Sequence, residues 1–187
     1  MYLPPLSILA RIWGLGELCM AIKTHSKSGG KSKDRGSLYL IWIVCALSVW
    51  AGVYAGSHAH SWDLPRRRTL YFVGYGLFVV GGVFRWFAIF YLGRFFTPNV
   101  VILTDHHLVD TGPYRFIRHP TYTGALCAAF GVILTLANLA ALLVIMLPVT
   151  AVVLWRIHIE EAALREAFGE HYRLYTQRTK RLLPFIY

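Results

Sequence analysis

Residues 38–57 read LYLIWIVCALSVWAGVYAGS, a run without a single charge. Crossing the hydrocarbon core of a bilayer takes about 20 mostly apolar residues in a helix, and this run supplies them. A helix pairs its backbone groups internally, which is what lets such a segment sit in lipid. The whole chain has the same character: 187 residues, 56% hydrophobic and only 15% charged, where an ordinary soluble domain carries roughly 25% charged residues. A soluble domain of this size has too much surface to cover with so few charges. Disorder and polar repeats are excluded, and a water-soluble enzyme is argued against.

Outward from this stretch, residues 70–93 form a second apolar run interrupted by Arg85. Residues 121–137 and 139–157 form two more, separated by Asn138 and with Pro148 inside the second. They predict a tight helical hairpin that turns at the far interface. Residues 4–22 hold Arg11 and Glu17 among apolar neighbours, and a span and an interfacial helix both remain open for them. The expected fold is an all-α, multi-pass integral membrane protein of about five transmembrane helices.

Sidedness follows from the basic residues, which gather in cytoplasmic loops. With five crossings, one side receives Lys23, Lys27, Lys31, Lys33 and Arg35, then Arg94, Arg115 and Arg118, then the basic tail from Arg156 to Arg181. The other side receives Arg66, Arg67 and Arg68, read as a basic girdle at a helix start. The long 94–121 loop and the tail are therefore expected in the cytosol. The formal net charge of +10 sits at the edges of apolar runs, which favours membrane lipids over nucleic acid as its partner. Residues 26–37, SKSGGKSKDRGS, read as a flexible linker. The first residues, Met1-Tyr2-Leu3-Pro4-Pro5, lack the basic and small-residue features of a signal peptide, so residue 1 is expected to be mature.

Gly74, Gly76, Gly81 and Gly82 lie inside a span with no strand before them, and predict close helix–helix contacts rather than a nucleotide loop. Cys19, Cys45 and Cys127 have no metal-ligand spacing and read as buried thiols, so no metal is expected.

Polar chemistry concentrates between Arg94 and Glu170. His106-His107-Leu108-Val109-Asp110-Thr111-Gly112-Pro113-Tyr114 ends in a Gly-Pro turn, followed by Arg118-His119-Pro120-Thr121-Tyr122. Pro120 suits the first position of a helix, which places His119 at its cap, beside free N–H groups that favour a carboxylate or polarisable ligand. Arg156 and Glu160, four apart, share one helix face near the membrane exit, either as a mutual ion pair or as the wall of a polar cavity. Glu161, one step round the helix, is expected to point elsewhere. Arg85 is expected to pair with Glu17 or another acid. Phe168-Gly169-Glu170 with Tyr172 and Tyr175 reads as an interfacial helix.

Taken together, these motifs resemble the isoprenylcysteine carboxyl methyltransferase family of membrane enzymes, with phospholipid N-methyltransferases as cousins. The similarity runs over roughly residues 82–187, which sets the expected division into N-terminal helices with a basic loop (1–81) and a methyltransferase core (82–187). The resemblance implies S-adenosylmethionine bound at the cytosolic side, in a pocket built from the C-terminal half. It places cofactor contacts at His106, Leu108, Val109, Gly112, Tyr114, His119, Pro120, Thr121, Tyr122 and Glu160, and the substrate-side arginine at Arg156. An amide of the family falls near Asn99, where eukaryotic members have Gln. The implied reaction is methyl transfer to a lipophilic acceptor, a small molecule or a lipidated substrate, in the plasma, inner or endoplasmic-reticulum membrane.

The chemistry agrees with a carboxylate acceptor. Methyl transfer from a sulfonium needs two reactants held in line in a dry site. A carboxylate is already ionised at pH 7 and needs only a cation to hold it, which Arg156 offers. A phospholipid amine would require a base. An NADPH-dependent sterol-type reductase also carries an RHPxY-like segment, but such enzymes are generally longer.

Overall fold

The computed structural model describes residues 13–17, 36–96 and 108–184, together with positions 8, 11 and 19. Helix α1 spans Ser37–His58; its 22 residues make a rod of roughly 33 Å at 1.5 Å per residue. It leaves Trp42, Trp50 and Tyr54 exposed, as a lipid-facing helix does. Helix α2, Arg67–Leu92, starts inside the arginine triplet and ends at Gly93, whose φ of 57° needs no Cβ penalty. Helix α3 is Pro120–Leu134, with His119 as N-cap and proline in its first turn, as expected. Helix α4, Leu139–Arg178, is capped by the Asn138 side chain, which accepts from the Ala141 amide at 2.9 Å. The hairpin turn at Asn138 is therefore where the apolar runs placed it.

Among the described residues three segments are long and apolar enough to cross a membrane, Tyr39–His58, Arg67–Phe95 and Leu139–Arg178, and Pro120–Leu134 is a shorter apolar helix. Of residues 4–22, most lie outside the described residues, as do loop 23–35 and Asn99; residues 13–17 are helical. Among the described residues there are no strands, only two isolated bridges.

Glycine decides how the helices pair. A Cβ on Gly74 would lie 2.4 Å from the Gly131 carbonyl oxygen, and one on Gly81 would lie 2.5 Å from the Ala128 nitrogen. On α3 the facing residues are Gly131 and Gly124, the latter 2.7 Å from the Gly81 oxygen by the same measure. The α2 and α3 backbones touch along this double seam, and Gly82 takes the Trp13 ring. Gly76 departs from the expectation, since nothing lies within 4 Å of its would-be Cβ. It is on another face of α2. Helix α1 packs on α4, where a Cβ on Gly52 would strike Ile145. The molecule is thus two helix pairs, α2 with α3 and α1 with α4, joined through α3 and α4.

At one end the connecting turns are clasped together. Asn138 Nδ2 donates to the Ala59 oxygen at 3.0 Å and to Asp63 Oδ1 at 2.9 Å, while the Leu64 amide donates to the Ala137 oxygen at 2.8 Å. The Asn138 amide and the Arg67 guanidinium hold the Asp63 carboxyl below the usual carboxylate range. At the other end, the tail returns beside the approach to α3: Arg118 N donates to the Lys180 oxygen at 2.7 Å and His119 N to the Arg181 oxygen at 3.0 Å.

The segment expected to lie in the interface behaves differently. Gly169 breaks α4 with φ 50°, and beyond it Tyr172 and Tyr175 are buried. The Tyr175 hydroxyl donates to the Tyr114 oxygen at 2.7 Å. The aromatic side of the final turns therefore packs onto the Gly-Pro turn, not onto lipid.

Gly81→Val should lower stability by about 1–3 kcal/mol through overpacking of the α2–α3 seam. Gly76→Ala, with open space, should be neutral or stabilising by up to about 1 kcal/mol of helix propensity. Thermal unfolding of the two variants in the same detergent checks the contrast.

Candidate active site

A cavity of about 490 Å³ is lined by all four helices and by Trp13, Gly14 and Glu17. Along α4 its wall is one helix face, Ile145, Val149, Val153, Arg156 and Glu160, apolar at one end and charged at the other. Trp42, Cys45 and Val49 of α1 line the apolar limb. The limb stops where Ile145 sits on Gly52, with Ile133 packed against Ile145 and Val149.

The polar mouth lies where α3 begins and α4 leaves the apolar region. Arg156 is 2% exposed. The Tyr122 hydroxyl donates to Glu160 Oε2 at 3.0 Å and also engages the Arg156 guanidinium, so one phenol links the two charges. His119 is 3% exposed, and its Nδ1 lies 3.9 Å from Glu160 Oε1. The Tyr114 hydroxyl donates to the Ala88 oxygen at 3.3 Å. Burial, aided by the Glu160 charge, pushes that hydroxyl far above its ordinary pKa, so it remains a donor.

Of the residues singled out from the sequence, Tyr114, His119, Thr121, Tyr122, Arg156 and Glu160 line this one cavity. Leu108, Val109, Gly112 and Pro120 do not line it. Pro120 is buried as the first residue of α3, and Gly112, with φ 57°, lies against the Tyr91 ring, where a Cβ would clash. His106 lies outside the described residues, as does His107.

The comparisons with known proteins point to one family of membrane enzymes. The sequence pattern of the isoprenylcysteine carboxyl methyltransferase family matches residues 74–166. A probable protein-S-isoprenylcysteine O-methyltransferase of Oryza sativa subsp. japonica is 37% identical over 122 residues, covering 62% of this chain and 61% of that protein. The Xenopus laevis protein-S-isoprenylcysteine O-methyltransferase is 30% identical over 151 residues, covering 79% and 51%. The solved structure of the eukaryotic intramembrane Ras methyltransferase, an isoprenylcysteine carboxyl methyltransferase, superposes with a TM-score of 0.65 at 29% identity, over 78% of this chain and 52% of that one. Residues 74–166 carry the pattern of the isoprenylcysteine carboxyl methyltransferase family, and the relatives and the solved structure that the chain resembles bear that family's name. The chain spans about three fifths of the length of the rice relative and about half of the solved structure.

Glu161 points away from the cavity face shared by Arg156 and Glu160, as expected, but the partners it finds there are not foreseen from the sequence. It has no exposed surface and turns into the junction of α3, α4 and the tail. Its carboxylate accepts from Arg118 Nε, Arg165 Nη2 and Arg181 Nη2, each at 3.0 Å, and from His119 Nε2 at 3.4 Å. From the sequence, Arg118 and Arg181 mark only the cytosolic side. The adjacency of Arg118 to His119 was the available signal, since a charge beside a buried cap needs a partner. Arg85, by contrast, pairs as expected: its Nε and Nη2 meet the two Glu17 oxygens at 2.6 Å, and its Nη1 donates to the Thr121 oxygen at 3.0 Å.

Both members of the Arg85–Glu17 pair are largely buried, at 14% and 18% side-chain exposure. Breaking a buried pair from one side costs about 3–5 kcal/mol, whereas replacing both partners by apolar residues is near neutral. Glu17→Leu should therefore destabilise strongly, and Glu17→Leu with Arg85→Met should recover most of the loss, as read by melting temperature in detergent.

Proposed function

We propose that this cavity is the active site of an S-adenosylmethionine-dependent methyltransferase that esterifies a lipophilic carboxylate, with S-isoprenyl cysteine as the model acceptor. The observation that carries the reading is Arg156, a buried guanidinium placed where the apolar stripe of α4 meets the acidic mouth. A charge at that depth is costly and marks a functional site. A planar fork there suits a carboxylate whose tail lies in the limb formed by Val153, Val149 and Ile145.

The mouth fits the cofactor. S-adenosylmethionine is a cation rich in hydrogen-bond donors, and Glu160, His119, Tyr114 and Tyr122 offer an acid, ring nitrogens and aromatic faces. His106, Leu108, Val109 and Gly112 of the neighbouring loop, with Pro120 and Thr121 at the start of α3, are proposed to complete that site. When bound, the cofactor supplies a methyl group on an electrophilic sulfonium. The protein's own residues align and dry the reactants. Arg156 holds the acceptor carboxylate, whose reference pKa of about 4 leaves it ionised at pH 7, so no side chain has to remove a proton. Ala128, Val132 and Ile133 wall the limb against water.

In this reading residues 82–187 carry the polar machinery, while the preceding residues add the apolar wall from α1 and the basic loop. The mouth faces the cytosol, a placement supported by Arg94, Arg115, Arg118 and Arg165 around it. The acceptor, small or lipidated, reaches the limb from the lipid side.

Arg156→Ala should cut methyl transfer to N-acetyl-S-farnesyl-cysteine at least about 30-fold, in line with about 2–5 kcal/mol for truncating one side of a buried charge pair. Binding of S-adenosylhomocysteine, followed by calorimetry in detergent, should change less than three-fold. Undiminished transfer in Arg156→Ala, or no binding of S-adenosylhomocysteine by the unaltered protein, rejects the assignment.

A further inference from the structure

The apolar limb of the cavity has a definite end. Ile145 and Arg156 lie on one face of α4, eleven residues apart, and both line the cavity. At 1.5 Å per residue the helix puts roughly 16 Å between them. At the Ile145 end the helices converge. A Cβ on Gly52 would strike Ile145 Cγ1 and Cδ1, so α1 rests directly on that side chain. One turn further, a Cβ on Gly56 would lie 3.3 Å from the Ala141 Cβ, and the two helices remain in contact. From α3, Ile133 packs with Ile145 and Val149, and all three are buried. The atoms of Ile145 beyond its Cβ therefore form the floor of the limb, with close-packed helices behind them.

The depth of that floor can be compared with an acceptor tail. A peptide residue adds three main-chain bonds and spans at most about 3.5 Å, or about 1.2 Å per bond of extended chain. On that scale S-farnesyl cysteine measures roughly 18 Å from carboxylate to last carbon, and S-geranylgeranyl cysteine roughly 23 Å. The first fits between the Arg156 fork and Ile145 with slight folding. The second carries a further isoprene unit for which the limb has no room. We propose that Ile145, seated on Gly52, is a specificity-determining residue that sets the longest acceptor this chain takes, admitting the farnesyl tail and turning away the geranylgeranyl tail. This rests on the methyltransferase reading and deepens it, because it assigns the length of the acceptor as well as its class. What acts is occupied volume rather than the identity of one residue. Ile145→Ala removes three carbons from the floor, and Gly52→Val returns three from the facing helix at the place where its Cβ meets the missing atoms. Together they conserve volume, the core exchange that is tolerated best.

The test uses the full chain in detergent and N-acetyl cysteines carrying geranyl, farnesyl or geranylgeranyl thioethers. For the unaltered protein, kcat/KM should favour the farnesyl over the geranylgeranyl acceptor at least about ten-fold, the discrimination that a single methylene makes in an apolar pocket. Ile145→Ala should bring the two within about three-fold of each other. Adding Gly52→Val to that variant should restore the preference although the isoleucine is still missing. Val149→Phe, which fills the limb nearer the mouth, should shift the preference to the geranyl acceptor. Leu147→Ala, on the exposed side of the same helix, should leave the ratio as it was. The acceptors alone, without cofactor, should raise the melting temperature of each variant in the same order. Equal use of the two longer acceptors by the unaltered protein, or a ratio that Ile145→Ala does not move, overturns the proposal. If the graded rise in melting temperature appears but no acceptor is methylated, the floor stands and the methyltransferase reading falls; if neither appears, both fall. Should Ile145→Ala fail to fold, the acceptor series on the unaltered protein and Val149→Phe still decide.

Discussion

A carboxylate with no exposed surface is tolerable only when donors replace the water it has lost, and Glu161 gathers them from three separate segments. Arg118 and His119 come from the approach to α3, Arg165 from its own helix and Arg181 from the returning tail. Arg118 also donates to the Thr179 oxygen at 2.5 Å and to the Thr176 oxygen at 3.3 Å, so it fastens the end of α4 as well. The tail is held again by Thr123 Oγ1, which donates to the Leu182 oxygen at 2.7 Å. The polar mouth has its shape because this knot is closed. Loosening any strand of it exposes a charge that the others cannot cover alone.

The cavity itself is a consequence of uneven helix packing. Backbone-to-backbone contact at Gly74, Gly81, Gly124 and Gly131 draws α2 and α3 together, and Gly52 lets α1 settle on α4. With each pair satisfied internally, the two pairs meet mainly through α3 and α4, and a cleft is left between them. The Asn138–Asp63 clasp closes that cleft at one face of the bundle, while the Glu161 knot organises the other. An apolar floor and a charged mouth follow from geometry before any ligand is considered.

Much of this was legible in the chain. Uncharged runs located the helices, Pro120 and Asn138 marked where the hairpin begins and turns, and Arg85 found the acid it required. Helical periodicity put Arg156 and Glu160 on one face, and they do share the cavity, linked by Tyr122. What could not be read was direction around a helix whose two sides are both occupied. Glu160 and Glu161 are adjacent, and only the position of the tail decides that the second is the buried one. The same limit applies to Gly76, which shares a span with the seam glycines but not their face. It applies to Tyr172 and Tyr175 too, where the break at Gly169 turns an apparently interfacial pattern toward the Gly-Pro turn.

The Arg85–Glu17 pair bears on selectivity as well as stability. Both residues line the cavity, so in the proposed reading a lipophilic carboxylate entering from the bilayer would meet the Arg85 guanidinium as well as Arg156. At Arg85 the fork is already filled by two contacts of 2.6 Å to Glu17. A carboxylate settling there would have to displace a bound acid and leave it charged in an apolar wall, a penalty of several kcal/mol. Intramolecular neutralisation of this kind is discrimination by an unfavourable alternative rather than by a better contact. On the proposed reading it would allow a second arginine to brace the bundle without becoming a second, unproductive seat for the acceptor.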